Sequence, residues 1–183
     1  MKARPRETLP DLSRGGLGLL FIGINPSLFS VARGHYFARK TNRFWPCFSR
    51  SVLSEPARRA LGVETLGPEH DTLLLDHGTG FTDVVKRPTA RADELGPEEF
   101  AEGARALAAK LETLQPRIAC FHGMMGYRPF LRVIAPAAPK PVLGEQSFRI
   151  GQTRVFVIPN PSPANAHVTP AIQISWYNRL ARA

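Results

Sequence analysis

The chain has 183 residues, of which 43% are hydrophobic, which suits one folded domain with a hydrophobic core and excludes wholesale disorder. No apolar run approaches the roughly 18 residues that a membrane-spanning helix needs, and the basic start lacks the apolar centre of a secretory signal. The net charge of +9 is split between the two ends, with +8 over residues 1–60, −6 over residues 61–112 and +7 over residues 113–183. If both basic ends of the chain fold onto one side of the molecule, they create an electrostatic field that attracts phosphate. A proteome that generally uses many arginines would explain the number of basic residues equally well.

In chain order, residues 1–16 are interpreted as a flexible basic tail and residues 17–183 as a single domain. The apolar run Leu17–Gly23 predicts a buried strand that ends in a loop, and the apolar spacing over Asn42–Leu53 predicts a helix. The segment Asp71–Val85 contains two glycines and predicts a strand, a tight turn and more extended chain.

The second half of the chain alternates predicted helices with predicted strands. Pro97–Leu114 predicts a helix, because proline suits the first turn and glutamates follow it. Arg117–His122 predicts a buried strand, and a short helix follows from Tyr127 to Val133. Arg154–Ile158 predicts another strand, and Thr169–Arg182 a closing helix capped by its threonine. This alternation indicates an α/β layer structure with a largely parallel sheet.

Two unusual loops follow predicted strands directly. The first reads Gly23-Ile24-Asn25-Pro26-Ser27, and the second reads P-N-P-S-P from Pro159. Both therefore lie at the edge of the sheet where such folds bind ligands. Glycine lets a backbone approach a ligand closely, and Pro26 holds Asn25 out of helical geometry, so that its amide can bind a water molecule or a base edge. Taken alone, the loop is better explained as a plain turn.

Four blocks in this order carry a family resemblance: GINPSLFSVARGHYFARKTNRFWPCF, GFTDVVKRPT, PRIACFHG and IPNPS. The set resembles the mismatch-specific uracil-DNA glycosylase and thymine-DNA glycosylase family over nearly the whole chain. The resemblance implies a three-layer α/β/α sandwich with a short, largely parallel central sheet. It also implies a monofunctional DNA glycosylase of base excision repair. Such an enzyme flips uracil, notably from G·U mismatches, and hydrolyses its N-glycosidic bond to leave an abasic site; thymine and modified pyrimidines stay open as substrates.

The resemblance further implies a set of site residues. Asn25 would position the attacking water, and Phe37 would stack on the flipped base. Backbone groups near Ile24 and Phe37 would read the pyrimidine edge, and Asn42-Arg43-Phe44-Trp45 would be mainly a packing motif. The remaining base pocket would be formed by Gly23, Ile24, Pro26 and Ser27. The DNA wedge and contact residues would be Asn160, Pro161, Ser162, Pro163, Ala164 and Asn165, with Arg43 and Lys40 reaching phosphate.

Two residues depart from the family pattern. Ser27 replaces the glycine that usually ends the first motif, and its side chain would either narrow the pocket or add a hydrogen bond, which leaves thymine acceptance open. Ala164 stands where related enzymes carry a bulky apolar wedge. Pro163 or Asn165 would take part of that role, and weaker readout of the opposite base would allow uracil in several contexts.

An amide cannot remove a proton, so Asn25 alone could only orient a water molecule. Asp93 is the first candidate for a carboxylate that activates this water or stabilises the cationic sugar, with helix capping as the alternative role. Asp83, just after the glycine-rich turn, is the rival acid. A lyase reaction would need an amine in the pocket, and we interpret Lys40 and Lys86 as phosphate or surface contacts instead.

We expect neither a metal nor an organic cofactor. The two cysteines, Cys47 and Cys120, are expected to be buried free thiols, and two thiolates cannot supply the four ligands of an iron–sulfur cluster. The histidines form no ligand cluster in the sequence: His35 and His167 fall in the predicted DNA-facing loops, and His70, His77 and His122 are expected at the surface or in packing.

The expected partner is double-stranded DNA that contains uracil or a mismatched pyrimidine, bound by a cytoplasmic monomer without a membrane association. One alternative is a catalytically silent binder of damaged or single-stranded DNA on the same fold, which would not need Asn25. A generic α/β hydrolase or nucleotide-binding domain would need a phosphate loop or a nucleophile motif, and the sequence has neither.

Overall fold

A computed structural model describes residues 7–183, and the strands of this part of the chain form one five-stranded sheet. The strands are β1 (Leu19–Gly23), β2 (Thr79–Asp83), β3 (Ile118–His122), β4 (Gly144–Ile150) and β5 (Thr153–Ile158). Their order is β2-β1-β3-β5-β4, and β4 alone runs antiparallel to its neighbour. The carboxyl ends of β1, β2, β3 and β5 therefore meet at one edge of the sheet.

Helices cover both faces of this sheet. They are α1 (Leu28–Arg33), α2 (Phe44–Ser49), α3 (Glu55–Leu61), α4 (Pro97–Leu114), α5 (Met124–Ile134) and α6 (Pro170–Ala181). Short 3₁₀ turns lie at Val52–Ser54, Pro68–His70, Leu73–His77 and Ala92–Glu94. Within residues 7–183, no helix combines the length and the apolar character that crossing a bilayer requires.

The sheet separates two hydrophobic clusters because successive strand side chains point to opposite faces. Phe21 packs edge-on against Phe44 of α2, with 5.3 Å between ring centroids, and the same cluster includes Tyr177 of α6. Ile22 points the other way, into the cluster that contains Leu107 of α4 and Phe130 of α5. The fold is thus a three-layer α/β/α sandwich with a largely parallel sheet, which confirms the predicted fold class.

The predicted elements and the structure differ in three places. The helix predicted over Asn42–Leu53 is the shorter α2, which is followed by the 3₁₀ turn Val52–Ser54. The region Asp71–Val85, predicted as strand, turn and extended chain, begins instead with the 3₁₀ turn Leu73–His77. Strand β2 starts only after Gly78, whose φ of 73° ends that turn. The edge strand β4 was not predicted, because its exposed positions are polar and its buried Gln146 masks the alternation of apolar residues. Helix α4 begins and ends where predicted, and Thr169 caps α6 by accepting a hydrogen bond from the Ile172 N–H.

The predicted flexible tail needs a correction over residues 9–12, while residues 1–6 lie outside the described part of the chain. Leu9 is 1% exposed, and the Leu12 backbone exchanges two hydrogen bonds with Phe81, at 2.9 and 2.8 Å. Asp11 forms ion pairs with Lys86 and Lys110. Backbone pairing and apolar burial thus place these residues against β2, in the folded domain.

Candidate active site

A cavity of about 500 Å³ opens at the carboxyl edge of the sheet. The predicted loop after β1 forms one wall, Phe37 another, and the loop after β5 a third. Its lining comprises Leu9, Gly23, Ile24, Asn25, Pro26, Ser27, Ser30, Tyr36, Phe37, Arg39, Thr41, Asn42, Asp83, Thr89, Ala90, Ala92, His122, Asn160, Ser162 and Pro163. The structure therefore brings together most of the residues that the sequence nominated for one site.

The floor of the cavity is set by the ends of three adjacent strands. Gly23 of β1 pairs in parallel register with Asp83 of β2, and His122 follows the Ile22–Phe121 pair on the other side of Gly23. A Cβ atom on residue 23 would lie 2.3 Å from the Asp83 carboxylate oxygen Oδ1. Any side chain at this position would displace the Asp83 carboxylate, so glycine preserves the position of that group.

Asn25 is held in a single orientation by its amide nitrogen. Nδ2 donates to the Arg87 carbonyl at 2.9 Å and to the Thr89 hydroxyl at 2.7 Å, so both N–H bonds are used. No group among residues 7–183 donates to its Oδ1 atom. Because Asn25 lines the cavity, that oxygen can accept a hydrogen bond from a water molecule or a ligand.

Phe37 forms a flat wall that is supported from behind. Its ring stacks on Phe44 with 4.3 Å between centroids and 17° between planes. Its φ of 53° is uncommon for a bulky residue. The preceding residue is held on both sides, since the Tyr36 N–H donates to Asp71 at 2.8 Å and the Trp45 indole donates to the Tyr36 carbonyl at 2.9 Å. The surroundings therefore impose an unfavourable backbone angle that keeps the ring in the cavity.

The third wall is the 160s loop, residues 160–167. Asn160, Ser162 and Pro163 line the cavity, and the Asn160 Oδ1 atom accepts a hydrogen bond from the Ser162 N–H at 2.8 Å. Pro163 and Ala164 form an exposed tip, while the Asn165 side chain bonds back to the Asn160 carbonyl at 3.2 Å. The two predicted loops and the aromatic residue thus border one cavity on the same side of the molecule.

Residues 10–181 match the family model described as the uracil DNA glycosylase superfamily. The chain belongs to this superfamily. It is accordingly a DNA glycosylase of base excision repair, a hydrolase that cleaves N-glycosidic bonds. The match confirms the resemblance at the level of the superfamily.

The two candidate acids of the glycosylase occupy different environments. The Asp93 side chain is 58% exposed, is paired with Arg91, and does not line the cavity. That arginine lowers the pKa of Asp93. The first candidate of the sequence analysis therefore lies outside the site, since the 3₁₀ turn at Ala92–Glu94 directs only the small Ala92 inward.

Asp83 has the properties expected of a functional carboxylate. It is 5% exposed, its Oδ2 atom has no hydrogen-bond partner among residues 7–183, and Lys86 Nζ lies 3.7 Å away. Burial raises the pKa of Asp83 to about 6, above the usual value of 3.8. A group in this position carries a charge at neutral pH and binds a proton just below it.

His122 is a cavity residue that the sequence analysis assigned only to surface or packing. It stacks on Phe21 at 4.9 Å between centroids, and its Nε2 atom lies 3.4 Å from the Tyr177 hydroxyl. Burial lowers the pKa of His122 to about 3, so the imidazole is neutral at physiological pH. His122 ends β3 beside Gly23, which ends β1. Because parallel strands end at one edge of the sheet, this position in the sequence could have indicated that His122 lies in the site.

Arg43 has the packing role that was predicted for its motif, and its contact with phosphate stays a prediction. Its guanidinium and its backbone N–H all turn towards the 160s loop and the residue after it. The side chain donates to the carbonyl groups of Pro161 (3.4 Å), Ser162 (2.6 Å), Asn165 (2.8 Å) and Val168 (2.6 Å). Arg43 therefore holds the loop in shape, because an arginine fork satisfies several carbonyls at once.

Three further predicted residues find defined positions. The Ser27 hydroxyl accepts a hydrogen bond from the Ser30 N–H at 3.1 Å and so caps α1 while it borders the cavity. Lys86 is paired with Asp11 at 2.8 Å and does not line the cavity. Lys40 is exposed beside the cavity residues Arg39 and Thr41, and its contact with DNA stays a prediction.

The described residues contain no metal-binding cluster of histidine, cysteine and acidic side chains. Cys47 and Cys120 are both buried free thiols. His35 bonds to the buried Asp71 at 3.1 Å, which makes it part of the support of Phe37, while His167 is exposed in the 160s loop.

We predict that Asp83→Asn stabilises the protein at alkaline pH. Because the folded state raises the pKa of Asp83 to about 6, stability is highest below the unfolded value of 3.8 and is lost as pH rises through 6. Near pH 8 the variant should gain up to about 3 kcal/mol, at about 1.4 kcal/mol per pKa unit, and near pH 4 the gain should vanish. Urea denaturation at both pH values measures this. Asp93→Asn is the control and should show no gain; equal destabilisation by Asp83→Asn at both pH values would contradict the prediction.

We predict that Arg43→Met loosens the 160s loop. Loss of the charged donor leaves carbonyl groups unsatisfied and should cost about 2–3 kcal/mol of stability. Amide hydrogen exchange over residues 162–168 should accelerate. Arg50→Met, at the exposed end of α2, removes the same charge and should leave exchange unchanged. Normal exchange in Arg43→Met together with weaker DNA binding would instead favour the phosphate contact.

Proposed function

We propose that the chain is a monofunctional uracil-DNA glycosylase that flips uracil, notably from G·U mismatches, and hydrolyses its N-glycosidic bond to leave an abasic site. One observation carries the proposal: the Asn25 amide, the Asp83 carboxylate and the Phe37 ring border one cavity. The cavity's volume of about 500 Å³ is ample for a pyrimidine with its sugar.

Entry of the base requires that it leave the duplex, at a cost of a few kcal/mol that is least for a mismatched pair. Stacking on Phe37 recovers about 1–3 kcal/mol of that cost. The exposed tip at Pro163 and Ala164 lies beside the cavity mouth, where it would face the gap left in the DNA. Backbone groups near Ile24 and Phe37 would then read the pyrimidine edge.

In the reaction we propose, the bond between the sugar carbon and the base nitrogen breaks, and its electron pair leaves with the base. The water held by the Asn25 Oδ1 atom forms the new bond to the sugar carbon and gives its proton to Asp83. The same carboxylate stabilises the cationic sugar electrostatically before the water adds. No lysine is among the cavity-lining residues of the described chain, which favours hydrolysis over a lyase reaction.

The residues of the cavity walls favour an enzyme that accepts uracil in many DNA sequence contexts. A tip of proline and alanine offers little bulk to intercalate, so recognition of the opposite base would be weak. The Ser27 hydroxyl caps α1, and its Cβ still narrows the pocket relative to glycine, which favours uracil over thymine. The basic ends of the chain would supply the phosphate contacts, and we propose that the enzyme acts as a monomer on DNA in a bacterial-type cytosol.

A catalytically silent DNA binder on this fold is the weaker proposal. Binding alone would need Phe37 and the 160s loop. It would not need a buried carboxylate with a raised pKa, since such a group lowers stability at neutral pH. The Asp83 environment therefore favours an enzyme.

The proposal predicts which variants lose activity on a labelled duplex with one G·U pair, assayed by strand scission in hot alkali. Asn25→Ala and Asp83→Asn should each lower the single-turnover rate by at least about a hundredfold, because water positioning and proton transfer are lost. Asp93→Asn makes the same chemical change outside the cavity and should stay within about twofold of the wild type. Normal turnover by Asp83→Asn would remove Asp83 from the mechanism, and binding without scission by the wild type would favour the silent binder.

We also predict an acid limb in the pH dependence of uracil release. The reaction needs the ionised form of Asp83, whose pKa is about 6, so kcat/KM should fall about tenfold per pH unit below that value. The residual activity of Asp83→Asn should show no limb there. A wild-type profile that is flat through this range would argue against a titrating carboxylate.

A further inference from the structure

The N-terminal segment, residues 9–12, lies against the part of β2 that ends in Asp83. Leu9 lines the cavity, and the Leu12 backbone pairs with Phe81, two residues before Asp83. The Tyr36 hydroxyl donates to the Pro10 carbonyl at 3.2 Å. Backbone pairing on one side and a phenol on the other therefore fix the position of Asp11.

Asp11 joins three elements through one carboxylate. Its Oδ1 atom accepts hydrogen bonds from Lys86 Nζ and from the Thr82 hydroxyl, both at 2.8 Å. Its Oδ2 atom is contacted by Lys110 of α4, which also donates to the Thr82 hydroxyl at 3.0 Å. The carboxylate thus forms the centre of a partly buried network directly beneath the end of β2.

Lys86 lies between the carboxylates of Asp11 and Asp83, either of which could form an ion pair with its ammonium group. Its Nζ atom is 2.8 Å from Asp11 and 3.7 Å from Asp83, and it donates to the Tyr36 hydroxyl at 3.5 Å. The Asp11 contact is a hydrogen-bonded ion pair, whereas the Asp83 contact is longer than a hydrogen bond. The Asp83 Oδ2 atom is therefore left without a hydrogen-bond partner among residues 7–183, although an ammonium group lies 3.7 Å from it.

We propose that Asp11 is a positioning residue that holds Lys86 away from Asp83 and so keeps the Asp83 carboxylate free to act on water above Gly23. The inference rests on the proposed function, in which Asp83 is the proton acceptor. A direct ion pair with Lys86 would weaken Asp83 as a base and turn one of its oxygens away from the cavity.

The charges around Asp83 agree with this arrangement. The groups that face it are Lys86 after β2, Asp11, Lys110 of α4 and the Tyr36 hydroxyl, with the neutral His122 across Gly23 on β3. After burial, Lys86 has the largest effect on the pKa of Asp83 and lowers it, whereas Asp11 raises it. Removal of the Asp11 charge should therefore lower the pKa of Asp83 for two reasons. The repulsion between the two carboxylates is lost, and Lys86 is released to pair with Asp83.

The test compares Asp11→Asn with the wild type in the pH profile of uracil release from a G·U duplex. The acid limb of kcat/KM should move to lower pH by about one unit, and kcat on the plateau should fall about tenfold because a weaker base accepts the proton. KM should stay within about twofold, since Asp11 does not touch DNA in this proposal. Asp76→Asn removes an exposed acid that pairs with Arg14 and should move neither quantity.

The double variant Asp11→Asn/Lys86→Gln separates positioning from simple loss of structure. It removes the released ammonium group, so the acid limb should return to the wild-type pH or above it. An acid limb that stays displaced in the double variant, or one that never moves in Asp11→Asn, would overturn the proposal. The double variant also carries no unpaired Lys86 charge, so it remains informative if the single variant folds poorly.

A titration that does not depend on catalysis keeps this inference distinct from the proposed function. The side-chain carboxyl ¹³C resonance of Asp83, assigned by its absence in Asp83→Asn, should titrate at lower pH in Asp11→Asn than in the wild type. An unchanged titration would overturn the positioning role even in an active enzyme. If the wild type releases no uracil, the proposed function fails, and the titration still decides whether Asp11 controls Asp83.

Discussion

The parallel pairing of Gly23 with Asp83 is the constraint on which the site depends. A carboxylate occupies the volume that any side chain at residue 23 would fill, with only 2.3 Å between its oxygen and the position of a Cβ atom. The sheet buries this carboxylate, and burial opposes its ionisation. A buried carboxylate of this kind lowers the stability of the fold, so it is kept mainly where a reaction requires it. Carboxylates with shifted pKa values are therefore concentrated in active sites.

The loops around that carboxylate have little hydrophobic core of their own, so polar side chains hold them in place. Asn25 bonds the loop after β1 to the loop after β2, and Arg43 holds the 160s loop through four carbonyl groups. Asp71 fixes the backbone before Phe37. The bonds of Arg43 and Asp71 satisfy buried or half-buried backbone groups that would otherwise lack partners. Side chains of the kind that bind ligands elsewhere thus serve here as supports for the residues that line the cavity.

Much of the fold could be predicted from local patterns. Helix α4 carries its start signal in Pro97 and the glutamates that follow, and β3 is a continuous apolar run, so both are visible in a short window of sequence. The edge strand β4 lacks such a signal. The convergence of Asn25, Phe37 and the 160s loop followed from the family motifs and from the rule that parallel strands end at one edge.

The remaining features depend on contacts between distant parts of the chain. Asp83 ends β2 and Asp93 lies in a 3₁₀ turn. Their local sequences do not show that only Asp83 is covered by β1 and the N-terminal segment. Arg43 meets partners more than one hundred residues away, and Asp11 meets Lys110 across 99 positions. Burial and pairing of this kind decide whether a charged residue is a catalyst, a support or a surface group, and they exist only in the folded chain.

The anchored 160s loop has a consequence for how the enzyme would find its targets. We expect a loop that is held at four carbonyl groups to move little. Its tip of Pro163 and Ala164 offers little bulk to push a nucleotide out of the helix. On the proposed mechanism, the enzyme would therefore flip mainly bases that spontaneous opening of the duplex has already loosened. Sampling would then follow the opening frequency of each pair, so that weakly paired lesions are visited more often than well-paired ones. The preference for a lesion would then depend on the stability of its base pair in the DNA as well as on the pocket of the protein.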